Sequence, residues 1–173
     1  MAACLDLLEE LIAFPTVSDQ PVDEMASLLA EKAEAAGFKT HVFETEPGKV
    51  NVVSHRGPMD HSGLAFCGHM DVVPTTGQEW HTNPFQATRT DNTVIGRGAC
   101  DMKGFIAAAL SVVSQPEYRN QEGLTLIWTH DEEVGCMGAE ALTKQIRKAG
   151  LTLPTAILIG EPTSMNISRM HGG

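Results

Sequence analysis

An imidazole and a carboxylate stand two residues apart in the run Gly68-His69-Met70-Asp71-Val72-Val73-Pro74. The apolar run Leu64-Ala65-Phe66-Cys67 just before it reads as a short buried strand. Side chains i and i+2 of a strand share a face, so His69 and Asp71 should leave its end side by side. A metal-bound imidazole usually gives its second N–H to a carboxylate, which fixes the tautomer and raises the basicity of the ligand. His69 is then the ligand and Asp71 its clamp. A single pair of this kind is also an ordinary polar contact. What turns it toward metal chemistry is that acidic residues recur at matching positions downstream.

The run Gly96-Arg97-Gly98-Ala99-Cys100-Asp101-Met102-Lys103-Gly104 places Asp101 at a strand-to-helix junction. An aspartate there serves either as a helix N-cap or as a carboxylate bridging two metal ions. His130-Asp131-Glu132-Glu133 closes the next strand. Adjacent strand side chains point to opposite faces, so Glu132 and Glu133 need different tasks. One can bind metal while the other reaches a water at the metal; a solvated acidic turn is the alternative. Gly160-Glu161-Pro162-Thr163 ends the last strand in the same manner. Ligands of open α/β sheets sit outside the carboxyl ends of the strands, where all these groups fall. His41, His55, His61, His81, His130 and His171 lack such placement and are expected mostly on the surface or in loops.

The elements that must position these groups follow from pattern. Leu5, Leu8, Leu11 and Ile12 recur at helical spacing until Pro15. A second helix is predicted to open near Ser18-Asp19-Gln20-Pro21, with Ser18 or Asp19 as N-cap and Pro21 in the first turn. It carries Val22, Met25, Leu29, Ala33 and Ala36 on one face and stops at Gly37. Strands are predicted over His41–Glu44, Val50–Ser54, Leu64–Cys67, Thr93–Ile95, Leu124–Thr129 and Thr155–Ile159. Thr75–Asn92 reads as a loop that Trp80 and Phe85 pin down. Helices are predicted over Met102–Val113, apolar around most of its circumference, and over Ala139–Lys148, ended by Gly150. This alternation predicts an α/β fold: a mixed, largely parallel sheet with helices on both faces.

Composition bounds what such a sheet can serve. At 173 residues, with 42% hydrophobic and 20% charged residues, the chain predicts one globular domain. A formal net charge of −10 argues against a nucleic-acid groove, which needs a basic stripe. Cys4, Cys67, Cys100 and Cys136 form no C-x-x-C pair and read as reduced, mostly buried thiols. Asp6, Glu9 and Glu10 interrupt the first apolar residues, which argues against a signal peptide, and no apolar run approaches membrane-spanning length. No membrane association and a cytoplasmic location are expected.

The ordered set GHMDVVP, GRGACDMKG, HDEEVG and GEPT resembles the dinuclear zinc amidohydrolase and peptidase family that includes acetylornithine deacetylase, succinyl-diaminopimelate desuccinylase, aminoacylases and metallocarboxypeptidases. The resemblance implies two Zn2+ ions, with Co2+ as a substitute. His69 and Glu161 would serve one ion, Asp101 would bridge, and Glu133 would bind the second. Asp71 would orient His69, and Glu132 would be the general base. It also implies a cis peptide at Asp101–Met102. Within the family, GRGACDMKGFIAAAL, DEEVGC and GEPTSM are most similar to acetylornithine deacetylases, which implies a small N-acyl amino acid as substrate and a place in arginine biosynthesis. Succinyl-diaminopimelate desuccinylase or another N-acyl amino-acid hydrolase or metallopeptidase activity is one alternative, and an inactive truncated fragment is the other. Family members run to about twice this length. Residues 1–173 are therefore expected to be the N-terminal portion of an incomplete catalytic domain. The lid, through which full-length relatives are expected to form homodimers, and a returning half bearing a histidine for the second zinc would be missing.

Overall fold

The computed structural model describes residues 2–60 and 62–168; His61, His171 and the rest of 169–173 lie outside the described residues. In chain order the elements are α1 (Ala2–Ile12), α2 (Asp23–Ala35), β1 (Lys39–Glu46), β2 (Lys49–Arg56), β3 (Leu64–His69), β4 (Thr88–Arg89), β5 (Val94–Ile95), α3 (Lys103–Val113), β6 (Leu124–Thr129), α4 (Met137–Lys148) and β7 (Ala156–Ile159). Five strands form one sheet in the order β1-β2-β6-β3-β7. β2 runs antiparallel to both β1 and β6, whereas β3 runs parallel to both β6 and β7. The sheet is mixed, and its parallel half carries the site.

Helices cover both faces. Leu11, Ile12, Met25, Leu29, Ile106 and Leu110 of α1, α2 and α3 pack with Val52, Leu126 and Trp128 on one side. Leu142 and Ile146 of α4 pack with Val53, Ala65 and Ile127 on the other. Val52 and Val53 enter opposite cores because neighbouring strand residues point to opposite faces. Two buried cations tie the helices down. Arg56 donates to the carbonyls of Ala36 at 2.6 Å and Val113 at 3.0 Å, at the ends of α2 and α3. Lys103 donates to those of Leu11 at 3.0 Å and Phe14 at 2.7 Å, past the end of α1. Such donors satisfy carbonyls that a helix end leaves without an intrahelical partner.

Three local expectations need correction. α2 begins at Asp23, with Val22 at the N-cap position and no side-chain cap. Ser18 instead gives its hydroxyl to Asp71 Oδ2 at 2.8 Å. The 75–92 segment contains β4, which pairs antiparallel with β5 in a small separate ribbon. That ribbon is tacked to α1 by Arg89, bonded to Glu9 at 2.7 Å and Asp6 at 3.0 Å. Trp80 is covered by the guanidinium of Arg97, 5.2 Å from the ring centre. All four cysteines are free, but Cys100 and Cys136 are exposed and the other two half-buried, because none lies in a fully covered stretch of helix or strand. No helix among the described residues is long and apolar enough to cross a membrane.

Candidate metal centre

His69 is the last residue of β3, and its ring is only 1% exposed. Its Nδ1 lies 2.9 Å from the backbone carbonyl of Asp71, which can only accept, so Nδ1 carries a proton. Asp71 therefore does hold the ring, but with its carbonyl. The carboxylate expected to act as the clamp stands 3.6 Å from Nδ1, beyond hydrogen-bond length, and contributes charge. On the other side, Nε2 faces Asp101 Oδ1 at 3.1 Å, Glu161 Oε1 at 3.9 Å and Glu132 Oε2 at 4.0 Å. Burial alone would lower the His69 pKa; Asp71 and then Glu161 outweigh it and raise it to about 9.

The Asp71 carboxylate has a different set of partners. It accepts the Ser18 hydroxyl and the backbone N–H groups of Glu132 at 3.0 Å and Glu133 at 3.2 Å. Its side chain is fully buried. Burial favours its neutral form, but His69, the Glu132 N–H and Ser18 hold its pKa below the usual carboxylate value.

Asp101 lies at the approach to α3, after the β4–β5 ribbon rather than after a strand of the main sheet. The N-cap position of α3 falls to Met102, and no side chain caps the helix, so Asp101 is left to face the site. The Asp101–Met102 peptide is cis. Met102 turns inward, its sulfur accepting the His69 N–H at 3.3 Å. Lys103, the next residue, is anchored by its ammonium to the end of α1.

Residues 130–133 leave β6 in a turn whose second residue, Asp131, has φ +52°. Its carboxylate is held by Lys49 at 2.7 Å and by His130 at 3.0 Å. His130, expected near the surface, is buried: its other nitrogen meets Thr45 Oγ at 2.9 Å and its N–H reaches Asn51. Beyond the turn, the Cys136 thiol donates to Glu132 Oε1 at 3.5 Å. Burial, then Asp101 and the other nearby carboxylates, raises the pKa of Glu133 against the opposing pull of His69. His81 is exposed, and His41 and His55 stack on each other across β1 and β2, away from these groups.

The structure thus brings His69, Asp101, Glu132 and Glu161 to one edge, at the carboxyl ends of β3, β6 and β7. His69, Asp101 and Glu161 each offer a ligand atom, all within 4.8 Å of one another. A histidine nitrogen and two carboxylate oxygens are a donor set that would suit Zn2+, with the imidazole deprotonated at the metal-facing nitrogen. Glu133 lies outside that threesome but close enough to Asp101 to feel its charge. Ser18, Lys49, Asp131 and Cys136 also shape the centre. Only Asp131, inside the acidic run, carried any local signal.

A mixed α/β sheet with a His and carboxylate cluster at its parallel strand ends is the arrangement of an α/β domain able to hold a metal ion. Residues 65–171 match peptidase family M20/M25/M40, and the chain belongs to that family of metal-dependent peptidases and deacylases. It is 34% identical to acetylornithine deacetylase of Pasteurella multocida over 98% of its own length and 45% of the relative's. It is 36% identical to succinyl-diaminopimelate desuccinylase of Zymomonas mobilis over 93% of its own length and 43% of that protein's. Among solved structures, the M20 family metallo-carboxypeptidase Sso-CP2 of Sulfolobus solfataricus superposes with a TM-score of 0.79 at 25% identity, covering 92% of this chain and 37% of that one. Human carnosine dipeptidase 1 superposes with 0.74 at 25% identity, covering 90% and 37%. The chain spans less than half the length of the curated relatives it matches.

Proposed function

We propose that this chain is the N-terminal portion of the catalytic domain of a dizinc hydrolase that cleaves the amide of a small N-acyl amino acid, with N-acetylornithine as substrate and ornithine and acetate as products. The observation that carries this reading is the convergence of His69, Asp101 and Glu161 on one point. His69 and Glu161 would hold one ion, Glu133 would serve a second, and Asp101 would be shared between them. A metal ion there supplies Lewis acidity, lowering the pKa of a water and polarising the amide carbonyl. Glu132 takes the proton of the attacking water and returns it to the departing amine. Asp71 fixes the tautomer of His69 through its carbonyl and holds the Glu132 and Glu133 amides through its carboxylate. The setting we assign is cytoplasmic arginine biosynthesis, without nucleic-acid or membrane partners, in an assembly that dimerises through the lid.

Two competitors are carried by specific observations. Similar identity to a desuccinylase favours N-succinyl-diaminopimelate as the substrate. A metal-binding chain without turnover is favoured by the second ion's having only Asp101 and Glu133 assigned to it, since catalytic zinc sites usually use three protein ligands. Zinc content of the purified chain, measured with hydrolysis of N-acetylornithine and N-succinyl-diaminopimelate, separates all three. The proposal expects zinc binding that disappears in His69→Ala, and acetylornithine as the better substrate of a full-length relative. A chain that takes up no zinc would refute the metal site.

A further inference from the structure

We propose that Lys49 is a positioning residue for the Glu132–Glu133 turn, a role that rests on the reading of those glutamates as base and ligand. Lys49 opens β2, which lies on the other side of β6 from β3 and, being antiparallel, begins at the edge where β6 ends; it is not a member of the ligand cluster. Its ammonium is nonetheless buried, and it bonds both the Ser18 backbone carbonyl and Asp131 Oδ1, the latter at 2.7 Å. Removing both charges of an ion pair from water is unfavourable unless geometry and further hydrogen bonds compensate. Here the compensation is complete at Asp131, whose second oxygen meets His130 Nδ1 at 3.0 Å.

What this pair fixes is the backbone on either side of it. Asp131 sits at φ +52°, a left-handed conformation that a residue with a Cβ adopts only with local support. That single left-handed residue redirects the chain, so the next two N–H groups, of Glu132 and Glu133, both point at the Asp71 carboxylate. The same carboxylate is held from behind by the Ser18 hydroxyl, and the Ser18 carbonyl is the other group bound to Lys49. Lys49 thereby joins the acceptor of the two amides to the residue that aims them. Without it, the Asp131 side chain keeps only the His130 contact, and its backbone only the bond from the Met137 N–H to its carbonyl at 3.0 Å, so the turn loses its main side-chain anchor. Glu132 and Glu133 then swing independently of His69, which stays fixed by β3 and the Asp71 carbonyl.

The test uses Lys49→Met and the nearly isosteric Asp131→Asn in this chain, with backbone amide exchange followed by NMR and Co2+ binding followed by titration. The expected result is that the Glu132 and Glu133 amides exchange at least about tenfold faster. Amides of β3 and β6 should stay within about twofold, and Co2+ should bind the His69–Asp101–Glu161 cluster with affinity changed less than about threefold. Unchanged exchange at Glu132 and Glu133 in either folded variant would overturn the proposal. So would a loss of protection spread across β2 and β6, or unfolding of both variants, since each assigns the pair to the fold as a whole. If the unsubstituted chain binds no Co2+, the metal-site reading fails instead, and the amide exchange still judges the role of Lys49.

Discussion

Glu132 and Glu133 are neighbours in the chain, and their backbone amides end on the same carboxylate, yet their side chains meet different surroundings. Glu132 lies 4.0 Å from His69 Nε2 and accepts from Cys136, whereas Glu133 is crowded by Asp101. At the matching position of a full-length relative, Glu132→Gln should lower turnover by about 10²–10⁴ with zinc content intact, and Glu133→Gln should lower occupancy of the second zinc. Metal analysis beside steady-state kinetics distinguishes them, and equal metal loss in both would refute the division of roles. His69 supports a second prediction. In the metal-free chain its folded pKa of about 9 exceeds the ordinary 6.5, so its protonation stabilises the fold fully below 6.5 and stops doing so as pH rises through 9. The stability advantage of the unsubstituted chain over His69→Gln should therefore shrink by on the order of 3 kcal/mol between about pH 6 and pH 9.5, read by urea unfolding with chelator present. Burial pushes Lys103 down to about 7, which makes stability rise with pH above 7. That opposing effect is common to both proteins and cancels in the difference.

The elements carry the site by their ends. β3, β6 and β7 are parallel and adjacent, so the chain leaves all three on the same edge. β6 is followed by a turn packed so closely against the start of α4 that Gly138 admits no side chain. A Cβ there would lie 2.1 Å from the His130 carbonyl oxygen and 2.9 Å from Asn51 Oδ1. Gly138→Ala should displace α4 from the strand end and destabilise the chain by about 1–3 kcal/mol, measured by chemical denaturation. It should also weaken zinc binding less than His69→Ala does, because α4 supplies no ligand. An undiminished unfolding midpoint would show that α4 can move away freely. The long helices and strands were legible because their apolar periodicity spans several turns or pairs, as in Val22, Met25, Leu29 and Ala33, all buried. The start of α2 was not. Ser18 has the chemistry of a cap, but a buried carboxylate 53 residues away is the partner it meets.

For the molecule as a whole, the contrast lies between the inner and the outermost strand of the sheet's parallel half. β3 is flanked on both sides, while β7 pairs only with β3 among the described residues. Ile157, Leu158 and Ile159 of β7 are 46%, 49% and 53% exposed. An apolar strand with a free edge is a template for pairing with another chain. The chain is expected to self-associate in light-scattering measurements, and Leu158→Lys with Ile159→Lys should shift it toward monomer. It is also expected to hold at most about one zinc tightly and to lack efficient deacetylase activity, because the proposed second site has two protein ligands among the described residues where catalytic zinc usually has three. A soluble monomer with two zincs and ordinary turnover would overturn both expectations.

Residue type and spacing by themselves determined the order of the chemical groups, the strand ends that bear all of them but Asp101, and the family to which they belong. His69 with Asp71, Asp101, Glu132 with Glu133, and Glu161 each sit in a motif a few residues long, and three of the four motifs lie where a strand of the main sheet ends. Only the tertiary structure decided what holds those groups in place. It gave the clamp on His69 to a carbonyl, gave the Asp71 carboxylate to two amides, and buried His130 behind them. The Lys49–Asp131 pair spans 82 residues. Bonds of that separation leave no local pattern, because the partners meet only when β2 and β6 lie side by side and burial removes water as the competing partner.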